Sequence, residues 1–456
     1  MSKERKELDI INGPLLKNLV IFAIPLMLTN LMQSLFNVTD TIIVGKFAGD
    51  QALAAVGATG SLSFLIISLF YGVSMGTTVI VGQLIGKGDR HKVSTAVETS
   101  YALSILCGAF VSMIGILGAR FFLSLMSTPD DIIDKSALYM KIYFCSTIFI
   151  LVYNTGSAVL RAKGDSARPL YFLIAGGITN VTLNLLFVAV FKMAVAGVAL
   201  ATAISQLVSA SLVTISLIRT DDATHLDLKK IHLDLGIALD ILRIGIPAGI
   251  QSSMYSISNV VMQGAMNSFN DSNIIAGNTV GSNIENFAYI GMYSFSQSCI
   301  TFTSQNYGAK QYGKIRKIMR ITLLLSSMIA LGMSGLLWLL RYPMMSLYTS
   351  SDAIMHVAEL RIKIVVLTII MNGVLDIFVG SMRGMGTSTG PTVLMILGIC
   401  GVRVAWVLLY FPIDPRVEII YFSYPLSWTV TSLIEYLLWL AVYRKVMLQS
   451  KAESMN

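Results

Sequence analysis

The sequence predicts an all-α polytopic membrane protein, and three observations lead to this prediction. The chain has 456 residues, of which 55% are hydrophobic and 13% charged, with a mean hydropathy of +0.72. Soluble domains, in comparison, contain about 25% charged residues. Apolar runs of roughly 20 residues, long enough to cross a bilayer, recur from end to end. The third observation is an internal repeat that divides the chain into two halves.

Twelve membrane spans are predicted, and short polar loops containing Gly or Pro separate them. We expect an N-terminal six-helix lobe at residues 1–218, a cytoplasmic linker at 219–237 and a C-terminal six-helix lobe at 238–456. The spans cover residues 15–43, 52–82, 93–118, 135–160, 168–191, 195–218, 238–268, 274–306, 315–341, 355–382, 390–412 and 416–443.

A shift of 222 residues aligns the second half of the sequence with the first. Because each half contains an even number of spans, both halves enter the membrane from the same side. Two six-helix bundles related by a pseudo-twofold axis along the membrane normal are therefore expected. This arrangement is typical of alternating-access transporters. The aligned pairs include Pro25 with Pro247, Gln83 with Gln305, Gly86 with Gly308, Arg161 with Arg383, Gly164 with Gly386, and Pro169 with Pro391.

The basic residues of the loops predict the orientation of the chain. With both termini in the cytoplasm, 23 Lys and Arg residues lie inside and 9 outside, with Arg361 among the latter; Arg403 lies within a span. This bias satisfies the positive-inside rule. The net charge of +8 therefore indicates topology rather than nucleic-acid binding. The polar start MSKERKELD, followed by a long apolar run, does not fit a cleavable signal peptide.

Asp40, near the end of the first span, is the principal functional candidate. An ionised Asp inside a membrane helix costs about 2.5–3.5 kcal/mol on insertion scales, so such residues usually face a protein cavity and act there. The alternative is that Asp40 lies at the water interface and ends the helix. The membrane-like residues at 41–44 continue beyond it, which favours the functional interpretation.

Other ionisable residues within the spans give further candidates. Asp376 lies well inside the tenth span without an ionisable neighbour in sequence, and Glu285 in the eighth span could meet a cationic substrate. Glu98 and Glu435 are expected near the membrane interfaces. Arg403 could pair with one of these acids, which would make that acid structural.

The sequence does not carry the complete motifs expected of a metal-binding protein, an intramembrane enzyme or an ATP-driven transporter. The four cysteines all fall in apolar runs without a CxxC pair, and the four histidines lie in or near loops, so no metal site is predicted. HExxH and GxxxxGK[ST] do not occur in the sequence. GxSxG occurs as GVSMG at 72–76 and GTSTG at 386–390, but no convergent set with a partner His accompanies either pattern. We therefore expect neither an enzyme nor an ATP-driven transporter.

An ordered set of motifs resembles the multidrug and toxic compound extrusion family of the multidrug/oligosaccharidyl-lipid/polysaccharide exporter superfamily. The first span carries Ile24-Pro25 followed by VTDTIIVG at 38–45. Gln and Gly pairs close the second and eighth spans. The turns RAKGDSARP at 161–169 and RGMGTSTGP at 383–391 are similar to the family's RGxGDxxxP-like turn. The resemblance covers nearly the whole chain, and its details are similar to the DinF-related bacterial branch.

The resemblance implies residues that couple transport to an ion. The first-span acid of the family corresponds to Asp40, and its polar partners to Asn180, Asn184 and Thr202. The family often has Asp at the position of Asn184, and an amide cannot ionise. The resemblance with this departure therefore favours H+ over Na+ as the coupling ion.

The resemblance also implies a second acidic or substrate site. The acid on the tenth span corresponds to Asp376, while Tyr255 or a neighbour replaces the acid that some relatives carry on the seventh span. With Glu285 and Gln251, these residues form the candidate substrate set. Prolines kink helices, so Pro25 and Pro247 are the candidate hinge residues.

The expected function is therefore cation-coupled export of amphipathic, often cationic, drugs or metabolites by alternating access. The expected partners are these small molecules and the lipid bilayer, with no nucleic acid and no cofactor beyond the transported H+ or Na+. A monomer in the bacterial cytoplasmic membrane is expected. The alternatives are a flippase for lipid-linked precursors from the same superfamily and, less favoured, an intramembrane enzyme.

Overall fold

The computed structural model describes residues 8–126 and 128–455, which form helices joined by short loops, without any β-strand among them. The first half contains α1 Leu15–Ile43, α2 Asp50–Lys87, α3 Arg90–Leu125, α4 Asp130–Cys145, α5 Thr147–Ala162, α6 Ala167–Asn184 and α7 Ala194–Ile218. The second half contains α8 Leu235–Asn267, α9 Ser272–Gly308, α10 Tyr312–Leu339, α11 Arg341–Ser346, α12 Asp352–Arg361, α13 Ile370–Gly384, α14 Thr389–Met395, α15 Val402–Leu409 and α16 Val417–Met455. Segments of π-helix extend α1, α6, α12 and α14 at Val44–Ala48, Leu185–Val190, Ile362–Val366 and Ile396–Gly401.

Within the described residues, nine helices are long and apolar enough to cross a membrane, and up to eleven if each of two bent pairs forms one span. The bent pairs are Ile132–Cys145 with Thr147–Ala162, at 40°, and Asp352–Val366 with Ile370–Gly384, at 43°. They correspond to the predicted fourth and tenth spans. The predicted eighth span corresponds to α9, a helix of 37 residues that is long enough but carries many Ser, Asn and Gln residues. Hydropathy alone therefore does not identify it.

The helix boundaries follow the sequence repeat. Helices α2 and α9 begin 222 residues apart, at residues 50 and 272, and the same spacing separates α3 from α10, α4 from α12, and α6 from α14. The two repeated turns also share their backbone. Gly164 and Gly386 both have positive φ, at 103° and 86°, and donate to the carbonyls of Arg161 and Arg383 at 2.9 and 2.8 Å. These are helix C-terminal turns that favour glycine, which explains the repeated motif.

The described residues divide into two compact units. Unit 1 contains residues 8–9 and 24–249, and unit 2 contains residues 10–23 and 250–455. The division falls inside α1 and α8, close to Pro25 and Pro247. In unit 2 the first part of α1 packs on α9, where the rings of Phe22 and Phe302 lie 5.6 Å apart.

In unit 1 the first part of α8 lies directly against α2 through glycines. A Cβ on Gly72 would lie 1.9 Å from the carbonyl oxygen of Gly245, and a Cβ on Gly76 would lie 2.2 Å from that of Ile241. Small residues allow backbones to approach this closely in membrane helices. Any side chain at Gly72 or Gly76 would separate α2 from α8.

Both units carry buried apolar cores and exposed apolar side chains. Tyr101 and Val159 are among the buried core residues of unit 1, and Ile284 and Val365 among those of unit 2. Large apolar residues elsewhere are highly exposed, such as Leu117 at 80%. Exposed apolar surface of this kind suits contact with lipid rather than water.

Candidate functional site

Four polar side chains of unit 1 form one hydrogen-bonded group, which we call the Asp40 cluster: Asp40, Asn180, Asn184 and Thr202. The Asn184 side-chain nitrogen donates to Asp40 Oδ1 at 2.7 Å and to Asn180 Oδ1 at 3.1 Å. The Asn180 nitrogen lies 3.5 Å from Thr202 Oγ1. The structure thus brings together all four residues that the sequence identified as ion-coupling candidates.

The local helix geometry explains this grouping. Asn180 and Asn184 are four residues apart and share one face of α6. The α-helical part of α6 ends at Asn184, and α1 changes to π-helix at Val44, one turn after Asp40. Single π-turns within helices are frequent at functional sites because they redirect the side chains around them.

The Asp40 carboxylate is partly buried and no basic side chain of the described residues forms an ion pair with it. The Asn184 amide is its hydrogen-bond donor, while the buried Asn184 Oδ1 accepts no hydrogen bond from a described residue. The cluster therefore combines one carboxylate with uncharged oxygens of amide and hydroxyl groups. Such oxygens can bind a proton at the carboxylate or a small hard cation.

A second polar group lies in unit 2 around a buried arginine, and we call it the Arg383 cluster: Arg383, Asp376, Glu435, Gln251 and Thr392. Arg383 Nη2 donates to the side-chain oxygen of Gln251 and lies 3.4 Å from Thr392 Oγ1. The guanidinium also interacts electrostatically with Asp376 and Glu435. Asp376 and Arg383 are seven residues apart on α13, so they lie on one face about two turns apart.

Glu435, expected near a membrane interface, is fully buried within the protein. Its relative exposure is 0%, and neither carboxylate oxygen has a hydrogen-bond partner among the described residues. The reason is its position on the face of α16 that packs on α13, which also buries Trp439. A single acid near the end of an apolar run does not indicate which face of the helix it occupies.

The other substrate-site candidates separate into two places. Tyr255, one turn after Gln251 on α8, interacts electrostatically with Asp376 and thus lies beside the Arg383 cluster. Glu285 does not join them. Its Oε2 instead lies 2.7 Å from Arg361 Nη2 and 3.0 Å from Arg361 Nε, in a largely buried ion pair.

Two arginines differ from the sequence-based expectation. Arg361, counted among the outside loop residues, is only 5% exposed at the end of α12. It lies in the core because α12 continues without a loop into the π-helical segment Ile362–Val366. Arg403 does not form an ion pair with any of the candidate acids. Its guanidinium lies 4.1 Å from the ring centre of Tyr424, and its Nε donates to Ser427 Oγ at 3.1 Å.

The candidate hinge prolines lie inside α1 and α8, which continue as helices on both sides of them. Because proline has no N–H, it removes one hydrogen bond from each helix. Thr29 Oγ1 donates to the Pro25 carbonyl at 2.7 Å. Each proline lies within three residues of the boundary between the compact units.

The linker and the ends of α2 and α3 surround a separate polar cavity of about 1000 Å³ in unit 1. Glu98 and His232 face each other there at 3.2 Å. Outside the cavity, the linker residue Asp222 forms an ion pair with the buried Lys163, with 2.6 Å between Asp222 Oδ2 and Lys163 Nζ. Partial burial alone would raise the pKa of Asp222, but hydrogen bonds from Lys163 and Thr224 outweigh this effect and lower it.

Sequence reasoning missed the central role of Arg383. The repeat identified it only as the partner of Arg161 in a turn. The usable signal was its spacing from Asp376, which predicts a shared helix face. No sequence signal indicated that Glu435 is buried, because its burial depends on how α16 packs against α13.

The comparisons with known proteins agree with this architecture. A family model described as MatE matches residues 25–186 and 247–409, one match in each half. YoeA of Bacillus subtilis, named a probable multidrug resistance protein, is 27% identical over 440 residues, 94% of each chain.

Two solved structures share the fold. A structure of a multidrug resistance MATE family transporter in an outward-facing conformation has a TM-score of 0.91 and 20% identity, covering 98% of this chain and 99% of that one. A structure of MATE in the bent conformation has a TM-score of 0.90 and 19% identity, covering 97% and 98%. These likenesses confirm the predicted all-α polytopic fold. The chain therefore belongs to the MatE family, the multidrug and toxic compound extrusion transporters, and it is a multi-pass membrane transporter rather than an enzyme.

Proposed function

We propose that this protein is an antiporter that exports amphipathic, cationic drugs or metabolites in exchange for H+. It would act as a monomer in the bacterial cytoplasmic membrane with both termini in the cytoplasm. The multidrug resistance name of the similar YoeA protein supports this class of cargo. The coupling ion and the nature of the cargo follow from the chemistry of the Asp40 cluster.

The observation that carries the proposal is the uncompensated carboxylate of Asp40. An amide rather than a cation is its hydrogen-bond donor. Burial without a counter-charge favours the neutral form of a carboxyl group. A proton or a cationic substrate can each supply the missing charge, but both cannot do so at once. Competition for one carboxylate gives the exchange that an antiporter requires.

Coupling also requires that the two loaded states favour different conformations. Asp40 lies on the same helix as Pro25, fifteen residues further along. The first part of α1 packs with unit 2, while the part that carries Asp40 packs with unit 1. We infer that α1 bends near Pro25, and α8 near Pro247, as the loading of the Asp40 cluster changes.

The amide at position 184 supports H+ rather than Na+ as the coupling ion. A proton needs a single carboxylate oxygen, whereas Na+ needs several oxygens with enough negative charge to replace its water. The Asp40 cluster offers one carboxylate, and Asn184 turns its nitrogen rather than its oxygen towards it. As oriented, this amide stabilises a negative Asp40 between proton-binding events.

A flippase for lipid-linked precursors is the alternative function, and it requires an anion site. Arg403 is the buried arginine of the described residues that lacks a facing carboxylate. Its guanidinium is already occupied by the Tyr424 ring and Ser427. Arg361 and Arg383 both face acids. The charges of the described core therefore favour a cationic cargo.

Transport in proteoliposomes tests the proposal, with a fluorescent organic cation as the cargo. Under a pH gradient alone, Asp40→Asn should abolish coupled efflux, because an amide cannot take up and release a proton as a carboxylate does. The matched control is Asp134→Asn, which changes an exposed acid paired with Arg120 at the surface and should leave efflux unchanged. Equal thermal stability of the three proteins would exclude misfolding.

Two results would contradict the proposal. Wild-type efflux by the Asp40→Asn protein under a pH gradient would remove Asp40 from the coupling mechanism. Efflux driven by a Na+ gradient alone, but not by a pH gradient, would identify Na+ as the coupling ion. Preference for an anionic lipid analogue over the cation would favour the flippase.

A further inference from the structure

An apolar groove of about 330 Å³ lies between α13 and α16 in unit 2. Seven residues line it: Met371, Val374, Phe378, Thr429, Ser432, Leu433 and Tyr436. Thr429 Oγ1 donates to the Pro425 carbonyl at 2.7 Å. Ser432 Oγ donates to the Met371 carbonyl at 3.0 Å. With both hydroxyl groups bonded to the backbone, the accessible lining of the groove is entirely apolar.

Two aromatic rings form one wall of the groove and distinguish it from the equivalent place in unit 1. Phe378 of α13 and Tyr436 of α16 lie side by side, with ring centres 5.4 Å apart. The equivalent of Phe378 on α5 is Gly156, where a Cβ would lie 2.8 Å from a methyl carbon of Val213 on α7. The helices of unit 1 thus meet through a glycine, whereas those of unit 2 meet through a pair of rings with the groove beside them.

The groove lies at the depth of the lipid acyl chains. Helix α16 is a candidate membrane span, and α13 is part of a bent one. Thr429 lies twelve residues after the start of α16 at Val417, which is about 18 Å along the helix axis and inside a hydrocarbon core of about 30 Å. The residues at the mouth of the groove are open to that environment, with Leu433 63% and Met371 39% exposed. Hydrocarbon rather than water therefore surrounds the groove.

The size and chemistry of the groove identify the molecule that fits it. A second copy of the chain would need an interface of about 20–30 residues a side, and seven lining residues fall well short of this. An organic cation would bring a charge into a groove that no carboxylate of the described residues lines, and an unpaired charge is costly to bury. An acyl chain, in contrast, is apolar, narrow and abundant at this depth.

We propose that the groove binds one acyl chain of a membrane phospholipid. Without an occupant, the side chains that line the groove would lose dispersion contacts on their open side. The hydrophobic effect does not drive this binding, because lipid tails are as apolar as the lining itself. Close packing of the chain against the two rings and Met371 supplies the affinity instead.

The bound chain would brace the bend between α12 and α13. These two helical segments meet at 43°, and Met371 is the second residue of α13 after the bend. The hydrogen bond from Ser432 to the Met371 carbonyl joins α16 to α13 at the same place. An acyl chain packed against both residues covers this hydrogen bond and holds the two helices together. The site depends on neither the cargo nor the coupling ion, so it goes beyond the proposed antiport.

Photolabelling tests the site directly. The purified protein is reconstituted into vesicles of phosphatidylethanolamine and phosphatidylglycerol that contain a trace of phospholipid with a diazirine on one acyl chain. After illumination, peptides covering residues 371–378 and 429–436 should carry more label than the peptide around Leu117, an apolar residue of α3 that is 80% exposed. The reason is that a chain held in the groove stays within reach of the side chains for longer than a chain passing over an open surface.

Filling the groove with protein should remove this label. The double variant Met371→Phe with Thr429→Leu copies Phe149 and Leu207, the equivalent residues of unit 1, and places larger side chains where the acyl chain would lie. Labelling of the groove peptides should then fall to the level of the Leu117 peptide. Thr429→Leu alone, at an exposed position, should give an intermediate loss and keeps the test available if the double variant unfolds.

The matched control is Leu437→Phe, which enlarges a 64% exposed residue of α16 outside the groove and should leave the labelling unchanged. Thermal unfolding gives a second measurement. Adding phosphatidylglycerol to the detergent-purified protein should raise the Tm of the wild type and of Leu437→Phe, because a ligand that binds the folded state stabilises it. The double variant should show a smaller rise, since its groove is already filled.

Three results would overturn the proposal. Unchanged labelling and an unchanged rise in Tm in the double variant would show that the acyl chain binds elsewhere. Absence of label from the groove peptides of the wild type, with cross-linking of two chains through them, would identify a second copy as the occupant. Loss of label on adding a fluorescent organic cation would identify the cargo as the occupant. Asp40→Asn should retain the groove label whether or not it retains coupled efflux, so failure of the proposed function would leave this site standing.

Discussion

The two units share a repeat of 222 residues, but the positions equivalent to the Asp40 cluster carry neither a carboxylate nor an amide in unit 2. The equivalents are apolar or aromatic, and the ring of one of them, Tyr424, lies 5.2 Å from the Arg361 guanidinium and 4.1 Å from that of Arg403. This part of unit 2 therefore holds buried arginines, one of them paired with Glu285, where unit 1 holds the Asp40 carboxylate. The paired positions are Asp40 with Met262, Asn180 with Val402, Asn184 with Trp406, and Thr202 with Tyr424.

The reverse comparison has the same outcome. In unit 1 the position equivalent to Arg383 is also an arginine, Arg161. The positions equivalent to Glu435, Asp376 and Gln251 carry Val213, Asn154 and Thr29, respectively. Backbone-determining residues, such as the glycines of the two turns, remain in both halves. The duplication thus preserved the framework and allowed the interior chemistry of each unit to change independently.

Exchanging residues between equivalent positions of the two units tests this comparison. Substitutions in the Glu285–Arg361 pair should give the largest change in the free energy of unfolding. Glu285→Gln removes the charge that faces the buried Arg361, and breaking a buried pair in this way costs about 3–5 kcal/mol. The double variant Glu285→Ser with Arg361→Tyr copies Ser63 and Tyr139 of unit 1 and should recover at least half of this loss. Thermal unfolding in detergent measures both.

The same variants decide whether Glu285 is structural or binds substrate. A single variant with unchanged stability but weaker binding of a fluorescent cation would support the substrate role suggested by the sequence. Equal stability losses in the single and double variants would contradict the ion-pair explanation.

Substitution of a glycine where α2 packs against α8 in unit 1 should give an intermediate loss of stability. Gly76 is equivalent to Ser298 of unit 2, which is buried and donates to the Ser294 carbonyl at 2.8 Å. Gly76→Ser would place a Cβ about 2.2 Å from the Ile241 carbonyl oxygen, and overpacking of this kind costs up to about 3 kcal/mol. The reciprocal Ser298→Gly should cost only about 1 kcal/mol. Similar losses of thermal stability in both variants would contradict the close backbone contact.

These pairs also show what could be predicted from the sequence. The repeat and the helix boundaries were accessible because Pro, Gly and apolar periodicity act locally. The Asp40 cluster was accessible because its members occupy family motif positions. Arg361 was misplaced because a charge next to an apolar run resembles a loop residue until α12 is known to continue. The burial of Glu435 could not be predicted because it depends on packing between α16 and α13, which are distant in sequence.

Substitutions in the turns that follow α2 and α9 should give the smallest change in stability. Gly88 and its equivalent Lys310 both adopt positive φ, at 74° and 57°, and donate to the carbonyls of Ile85 and Tyr307 at 3.0 and 3.1 Å. A left-handed conformation costs a residue with a Cβ roughly 1–2 kcal/mol, partly offset by the greater unfolded-state entropy of glycine. Lys310→Gly should therefore raise stability by about 0.5 kcal/mol, and Gly88→Lys should lower it by a similar or larger amount. If thermal unfolding shows that Lys310→Gly is destabilising, the Lys310 side chain contributes more through its contacts than its backbone strain costs, and unit 2 would have replaced the glycine for that reason.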